Sequence, residues 1–375
     1  MKYDPSVRRN QMRKWAVLLA FWSGTASAQV SDRPDTPFKL ATFEAGGKTR
    51  LGMRVEGTDR LLDISEANAR LEREAKLPAV AIPSEMRLLI EEYGRVSPRL
   101  YQIANFYKSA RLEDGYSFPD DRVSLEAPIK YPWNLLAAAA NYKSHAQEMA
   151  RPSQPGAAPP AGRGGFQAVD VNVDTEDPHF FAKSPRSCII DPGEPFYIPE
   201  GRNIDWEAEL AIIIGKPALR VGLEKAHDYV FGYSIIYDVS DRGGEGRPLN
   251  KMFSGPSWIR GKSIDRGAPF GPYIVPKEFM PNHANLRITT KVNGVTKQDG
   301  NSKDLIYDEA HMIRYLSGIM TLYPGDVIST GTPDGVGAAR EPREFLKPGD
   351  VVEIEIEGIG KLVTPMKAAP PPSTN

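Results

Sequence analysis

The segment 205–215, DWEAELAIIIG, limits what this 375-residue chain can fold into more than any other stretch. Leu210 to Ile214 reads as a strand buried on both faces. Side chains alternate along an extended strand, so Glu207 and Glu209 point into one space. Two carboxylates side by side repel, and such a pair at the start of a buried strand needs a cation or a raised pKa. A solvated strand face would show the same spacing with no functional consequence. The sequence downstream favours the first reading: Asp238 closes a second aromatic and β-branched run, FGYSIIYDVSDRG, and Arg242 follows it. Three acids at strand ends suit a hard divalent ion that is held by few carboxylates and leaves positions for water or an oxygen-rich substrate. With five His and one Cys, none at zinc-ligand spacing, Zn²⁺ is disfavoured. The expected ion is Mg²⁺, with Mn²⁺ and Ca²⁺ as alternatives.

Six segments in collinear order carry a resemblance: NYKSHAQEM (141–149), FAKSP (181–185), DWEAELAIIIGK (205–216), GYSIIYDVSDR (232–242), WIRGKSID (258–265) and PGDVISTGTPDGVG (324–337). Together they resemble the fumarylacetoacetate hydrolase family over nearly the whole of its catalytic domain. The resemblance implies an α+β, mostly β fold: a mixed β-roll or sandwich catalytic domain of the family's C-terminal type, behind a small N-terminal domain. It implies Glu207, Glu209 and Asp238 as metal ligands, the set that strand geometry also points to. In the same pattern His145 and Glu148 form an acid/base dyad. Their spacing of three places both on one face of a helical turn, where the carboxylate can orient the imidazole. Lys262 matches a substrate lysine whose charge offsets an enolate or carboxylate beside the metal. Lys183 and Ser184 match a segment near the metal, and Arg242 an arginine that supports the site or a substrate carboxylate. Gly331 and Thr332 lie in a turn where backbone N–H groups can approach an anionic ligand. GTPDGVG lacks the Lys-Ser or Lys-Thr ending of a nucleotide loop. One departure stands out: Gly243 and Gly244 follow Arg242 where family members often carry an acid.

What the resemblance implies chemically is a Mg²⁺-dependent hydrolase that cleaves a C–C bond in a small 2-oxo or diketo acid, of acylpyruvate or fumarylacetoacetate type. The same electron sink serves an oxaloacetate-type decarboxylase, or a 2-oxo acid isomerase or dehydratase. A non-catalytic, metal-dependent carboxylate-binding protein is the reading from another class, and the His145–Glu148 pair counts against it. Relatives form homodimers, so a homodimer is expected.

At the N-terminus, Arg8, Arg9, Arg13 and Lys14 precede an apolar stretch, Trp15 to Trp22, and an Ala26-Ser27-Ala28 cleavage signature. The stretch falls short of the roughly 20 residues that span a bilayer. Residues 1–28 are therefore expected to be a signal peptide cleaved after Ala28, and the mature protein exported, to the periplasm. Cleavage removes Lys2, Arg8, Arg9, Arg13, Lys14 and Asp4, which brings the net charge from −1 to −5. That acidity disfavours a nucleic-acid partner. No later stretch has the length and apolarity of a membrane anchor.

A small N-terminal domain is expected over 37–123, with a hairpin around Gly46-Gly47 and a helix in LLDISEANARLEREA, then a linker over 124–130 and the catalytic domain over 131–367. The Pro-, Gly- and Ala-rich segment within 150–179 reads as a lid over the active site. Met312, Ile313, Leu316 and Ile319 mark an amphipathic helix. Strict alternation in VVEIEIEGIG turns Glu353, Glu355 and Glu357 to solvent. Residues 368–375 read as a disordered tail.

Overall fold

The computed structural model describes residues 30–150, 170–245 and 257–371. The expected signal peptide, residues 151–169 of the expected lid and residues 372–375 of the expected tail lie outside them. Gly46 and Gly47, at φ 60° and 75°, adopt the left-handed conformation that a side chain would resist. They reverse the chain between strands Phe38–Ala45 and Lys48–Val55, which pair antiparallel from Phe38 opposite Val55 to Ala45 opposite Lys48. This is the expected hairpin. Strands Arg60–Asp63 and Ser117–Pro119 extend the sheet on one side, and Ser124–Glu126 closes the other. The last is a correction to the expected linker: these residues pair with the edge of Phe38–Ala45, Leu125 facing Phe43. Three residues show too little pattern to reveal a strand, whereas a free edge supplies the hydrogen bonds that make one.

Asp63 caps helix Ile64–Glu74, accepting the backbone N–H groups of Ser65 and Glu66. This helix and helix Tyr93–Tyr107 turn Leu71, Leu100 and Ile103 toward the sheet. The same apolar cluster takes in Ala211, Ile213, Phe231 and Ile236 from the larger C-terminal part, so one core runs through both. Each such large side chain, fully buried, contributes about 1.5–3 kcal/mol.

The central sheet has six strands in the order Val275–Pro276, Val230–Tyr237, Ala208–Ile214, Val327–Ser329, Leu135–Ala138 and Phe180–Ala182. It is mixed: Val327–Ser329 runs antiparallel to Ala208–Ile214 and parallel to Leu135–Ala138. Ala208–Ile214 is buried along its whole length and sorts its side chains by parity. Ala208, Leu210, Ile212 and Ile214 enter one core, and Ala211 and Ile213 the other. Glu207 and Glu209 share the parity of Ala211 and Ile213, at the end where core gives way to a cavity.

A third sheet runs Val295–Asn301, Arg287–Val292, Val351–Ile356, Gly360–Ala368 and Phe196–Ile198. Glu355 and Glu357 are exposed and Glu353 half-buried, while Val352, Ile354 and Ile356 fill the core. Helix Glu309–Ile319 buries Met312, Ile313 and Leu316, but Ile319, its last residue, is 60% exposed because the helix runs past the edge of the core. Ala368, expected to begin the tail, instead ends a strand opposite Ile198. Among the described residues no helix is long and apolar enough to cross a membrane.

Candidate functional site

Strand register delivers the acids. Ala208 pairs with Tyr237, and the N–H of Asp238 donates to the carbonyl of Glu207 at 3.0 Å, which sets Asp238 beside Glu207 across the sheet. All three carboxylates are buried, and one oxygen from each of Glu207, Glu209 and Asp238 lies within 4.8 Å of the others. Lys262, at the end of helix Trp258–Lys262, places Nζ 2.5 Å from Glu207 Oε2 and from Asp238 Oδ2 and 2.7 Å from Ser240 Oγ. Lys183 Nζ approaches Asp238 Oδ1 at 2.5 Å. Arg242 donates to Asp205 Oδ2 at 2.9 Å and to Glu207. Glu209 accepts the Ser329 hydroxyl and, at 2.9 Å, the Gly331 N–H. Gly331 sits at φ +94°, and a Cβ there would lie 2.9 Å from Asn141 Cβ. The turn therefore serves Glu209.

Asp205, fully buried, accepts the N–H groups of Trp206, Gly337 and Ala338 at 2.9, 2.7 and 3.1 Å. Four buried carboxylates, of Asp205, Glu207, Glu209 and Asp238, thus meet three cations, Lys183, Arg242 and Lys262. The imbalance appears in the titration. Burial works against the Glu207 anion, yet Lys262 and Arg242 hold its carboxyl well below the usual range. Burial, then the Asp238 and Glu207 charges, push Glu209 up to about 8. Burial opposes the Lys262 ammonium, but Asp238 and Glu207 raise its pKa. A cluster of hard oxygen donors short of positive charge fits a divalent cation of the Mg²⁺ or Mn²⁺ class.

His145 and Glu148 lie one helical turn apart on helix Lys143–Ala150, with Nδ1 and Oε1 2.9 Å apart. An ionised carboxylate only accepts, so the proton belongs on Nδ1 and Nε2 is left as a base. The chain just before this helix is pinned by Asn141, whose Nδ2 donates to the carbonyls of Tyr307 and Thr330, both at 2.9 Å, while its Oδ1 accepts the Tyr307 N–H at 2.8 Å.

Of the expected site residues, His145, Glu207, Glu209, Arg242, Lys262 and Thr332 line one cavity. Glu148 stands behind His145, and Asp238 and Lys183 lie beneath Lys262. Ser184 stays outside: it is exposed and bonds Ser187 and Ser263. Thr332 accepts from the buried Gln298 at 2.8 Å, which also accepts the Ala208 N–H between the two glutamates at 3.2 Å. Phe181 and Trp258, stacked with centroids 5.0 Å apart, form an apolar wall with Met149 and Phe345. Sequence reasoning did not single out Asp205, Gly335 or this wall. Asp205 shares the parity of Glu207 and Glu209, and extending the alternation two residues back would have found it. Gly244 explains the glycines after Arg242 in part: it ends strand Ser240–Gly244, and a Cβ there would lie 2.1 Å from the carbonyl oxygen of Gly201, the residue just before the partner strand Arg202–Asp205.

A mixed-sheet fold with buried carboxylates, lysines and a His–Glu pair around one cavity defines an enzyme that acts on small acids. The model of the fumarylacetoacetate hydrolase C-terminal domain matches residues 134–367, and the chain belongs to that family. It is similar to the fumarylacetoacetate hydrolase of psychrophilic Exiguobacterium antarcticum, with 30% identity, a TM-score of 0.63, and 88% of this chain and 100% of that one covered. It is similar to the maleylpyruvate hydrolase of Sphingobium sp. SYK-6, solved with manganese(II) and pyruvate, with 28% identity, a TM-score of 0.62, and 88% and 100% covered. It is also similar to a 5-carboxymethyl-2-hydroxymuconate delta-isomerase of Mycobacterium smegmatis, with 26% identity, a TM-score of 0.59, and 88% and 99% covered.

Proposed function

We propose that this protein is a divalent-metal-dependent hydrolase that cleaves a C–C bond in a small 2-oxo or diketo acid of acylpyruvate or fumarylacetoacetate type, with Mg²⁺ as its ion. The observation that carries the reading is the convergence of Glu207, Glu209, Lys262 and His145 on one cavity, with the buried Asp238 carboxylate within 4.8 Å of both glutamates. Glu207, Glu209 and Asp238 would hold the ion, which when bound supplies Lewis-acid charge to substrate oxygens. His145 Nε2 takes a proton from a water that attacks the carbonyl at the scissile bond. Glu148 accepts the Nδ1–H throughout and stabilises the imidazolium. As the C–C bond breaks, its electron pair passes to the leaving carbon as an enolate, and His145 returns the proton there. Lys262 offsets the developing negative charge, and burial makes that charge worth more than it would be in water. The manganese-and-pyruvate complex of the maleylpyruvate hydrolase supports both ion class and product type.

A turnover screen tests this: the chain from Gln29 onward, with EDTA or added Mg²⁺, against acylpyruvates, fumarylpyruvate and oxaloacetate. Metal-dependent release of pyruvate with a second organic acid is the expected result. CO₂ release from oxaloacetate alone would make it a decarboxylase. Double-bond migration without cleavage would make it an isomerase, the reading favoured by likeness to the delta-isomerase. Ligand binding that His145→Ala leaves intact, with no turnover in the wild type, would make it a carboxylate-binding protein.

Export to the periplasm with cleavage after Ala28, and assembly as a homodimer, are proposed alongside. N-terminal sequencing of the protein recovered from its native compartment tests the first, and sedimentation of the mature chain tests the second.

A further inference from the structure

On strand Val230–Tyr237, which leads into Asp238, Tyr233 lies five residues before that acid, about 17 Å away at the strand's rise per residue. A second cluster of ligand-type side chains gathers there: His227, His283 and Glu309, each offering one atom within 4.8 Å of the others. They come from three separate segments, Leu223–Tyr229, His283–Asn285 and the first turn of helix Glu309–Ile319.

Glu309 divides its carboxylate. Oε2 accepts the Tyr233 hydroxyl at 2.6 Å, while Oε1 faces both imidazoles, 2.8 Å from His227 Nδ1 and 3.9 Å from His283 Nε2. The second distance is too long for a hydrogen bond. His283 Nδ1 is buried, and among the described residues it has no hydrogen-bond partner. What holds the imidazole is stacking, between Tyr233 at 5.1 Å and His227 at 4.9 Å. The ring is clamped by its faces, and its Nε2, 3.9 Å from Glu309 Oε1, lies within the roughly 4 Å that two ligands of one ion can span when each bond is about 2.0–2.2 Å.

We propose that His227, His283 and Glu309 form a second cation site, selective for a borderline transition metal of the Zn²⁺ class. Two imidazoles and one carboxylate suit such an ion, whereas the all-oxygen cluster of Glu207, Glu209 and Asp238 suits a hard one. In the metal-free protein His227, 49% exposed at its side chain, donates from Nδ1 to Glu309 at 2.8 Å; to ligate, it would shift its proton to the solvent-facing Nε2 and tilt its ring from the stack, which frees Nδ1. The Tyr233 hydroxyl on Oε2 fixes the carboxylate from behind, as second-layer hydrogen bonds do at metal sites. Lys277 pins the His227 carbonyl at 2.7 Å. The ion would staple three segments together at the start of the helix. Tyr307, two residues before Glu309, bonds Asn141, so the staple secures a support of the His145 helix.

The test is a Zn²⁺ titration of the mature chain by calorimetry, with Mg²⁺ in large excess to occupy the acidic cluster, together with thermal melts. Wild type is expected to bind one equivalent of Zn²⁺ and melt higher with it. His227→Ala, at a half-exposed position, should weaken Zn²⁺ affinity by about 10–100-fold or more and lose the melting stability that Zn²⁺ adds, read against the variant's own Zn²⁺-free melt, which also loses one stacking face of His283. Glu207→Gln should retain the Zn²⁺ site. The proposal is overturned if wild type binds no Zn²⁺ under excess Mg²⁺, or if His227→Ala binds it as wild type does.

Discussion

Glu148 accepts the backbone N–H of Gly335 at Oε2, 2.9 Å away, while Oε1 of the same carboxylate holds His145 Nδ1 at 2.9 Å. The loop after the TGTP turn thus fixes the carboxylate that fixes the histidine. Gly335 has φ +99°, and a Cβ would meet the Lys297 carbonyl oxygen at 2.2 Å.

Gly335→Ala should therefore destabilise the fold by about 1–3 kcal/mol and lower kcat as well, because the strained loop no longer presents its N–H to Glu148. Urea unfolding gives the first quantity and steady-state kinetics the second. Loss of stability with full kcat would uncouple the loop from the dyad.

Replacing His145 by alanine should reduce kcat by about 10²–10⁴-fold while leaving Mg²⁺ affinity near wild type, since the imidazole lies outside the carboxylate cluster. Turnover at the wild-type rate in this variant would remove His145 from the mechanism.

Arg242 spans Asp205 and Glu207, both buried. Arg242→Met leaves two buried carboxylates without their guanidinium, at a cost of about 3–5 kcal/mol. Adding Asp205→Asn to that variant should restore part of the loss. A melt unchanged by Arg242→Met would contradict the assignment of Arg242 as the counter-charge.

Glu209 titrates near 8 in the metal-free protein because burial, Asp238 and Glu207 disfavour its anion. A carboxyl raised above its unfolded value binds more protons folded than unfolded. Metal-free stability should therefore fall as pH rises from the ordinary carboxylate range through about 8. Mg²⁺ must displace that proton, so its affinity should climb over the same window and level off above it. Calorimetric Mg²⁺ titrations across the window check the slope; affinity independent of pH would exclude Glu209 as a titrating ligand.

Phe181 and Trp258 stack over the cavity beside Lys262, whose Nζ lies 5.2 Å from the Phe181 ring centroid. Trp258→Ala should raise KM for substrates with bulky acyl tails by about tenfold or more and leave the shortest acylpyruvate little changed. Equal effects on both would assign the indole to folding alone.

The geometry of the first cluster was legible because strand parity is a local rule: Glu207 and Glu209 share a face wherever the segment is extended, and the buried run after them favours that. The three-residue spacing of His145 and Glu148 was readable for the same reason. The strand Ser124–Glu126 was not, since its only cause is a free edge supplied by residues about 80 positions earlier. His227, His283 and Glu309 are also silent in the sequence, scattered over 83 residues with no common spacing.

The sequence by itself determined which residues could lie in extended strands, which faces those strands bury, and that two acids must share a space. Asp238, Lys183, Arg242 and Lys262 were named from the sequence too, but tertiary structure decided how closely they meet, that Asp205 joins them to set four carboxylates against three cations, and that the Gly335 N–H holds Glu148. The reason is physical. Alternation along a strand depends on neighbouring residues alone, whereas the charge balance of a buried site is summed over groups that only folding brings within a few ångströms of one another.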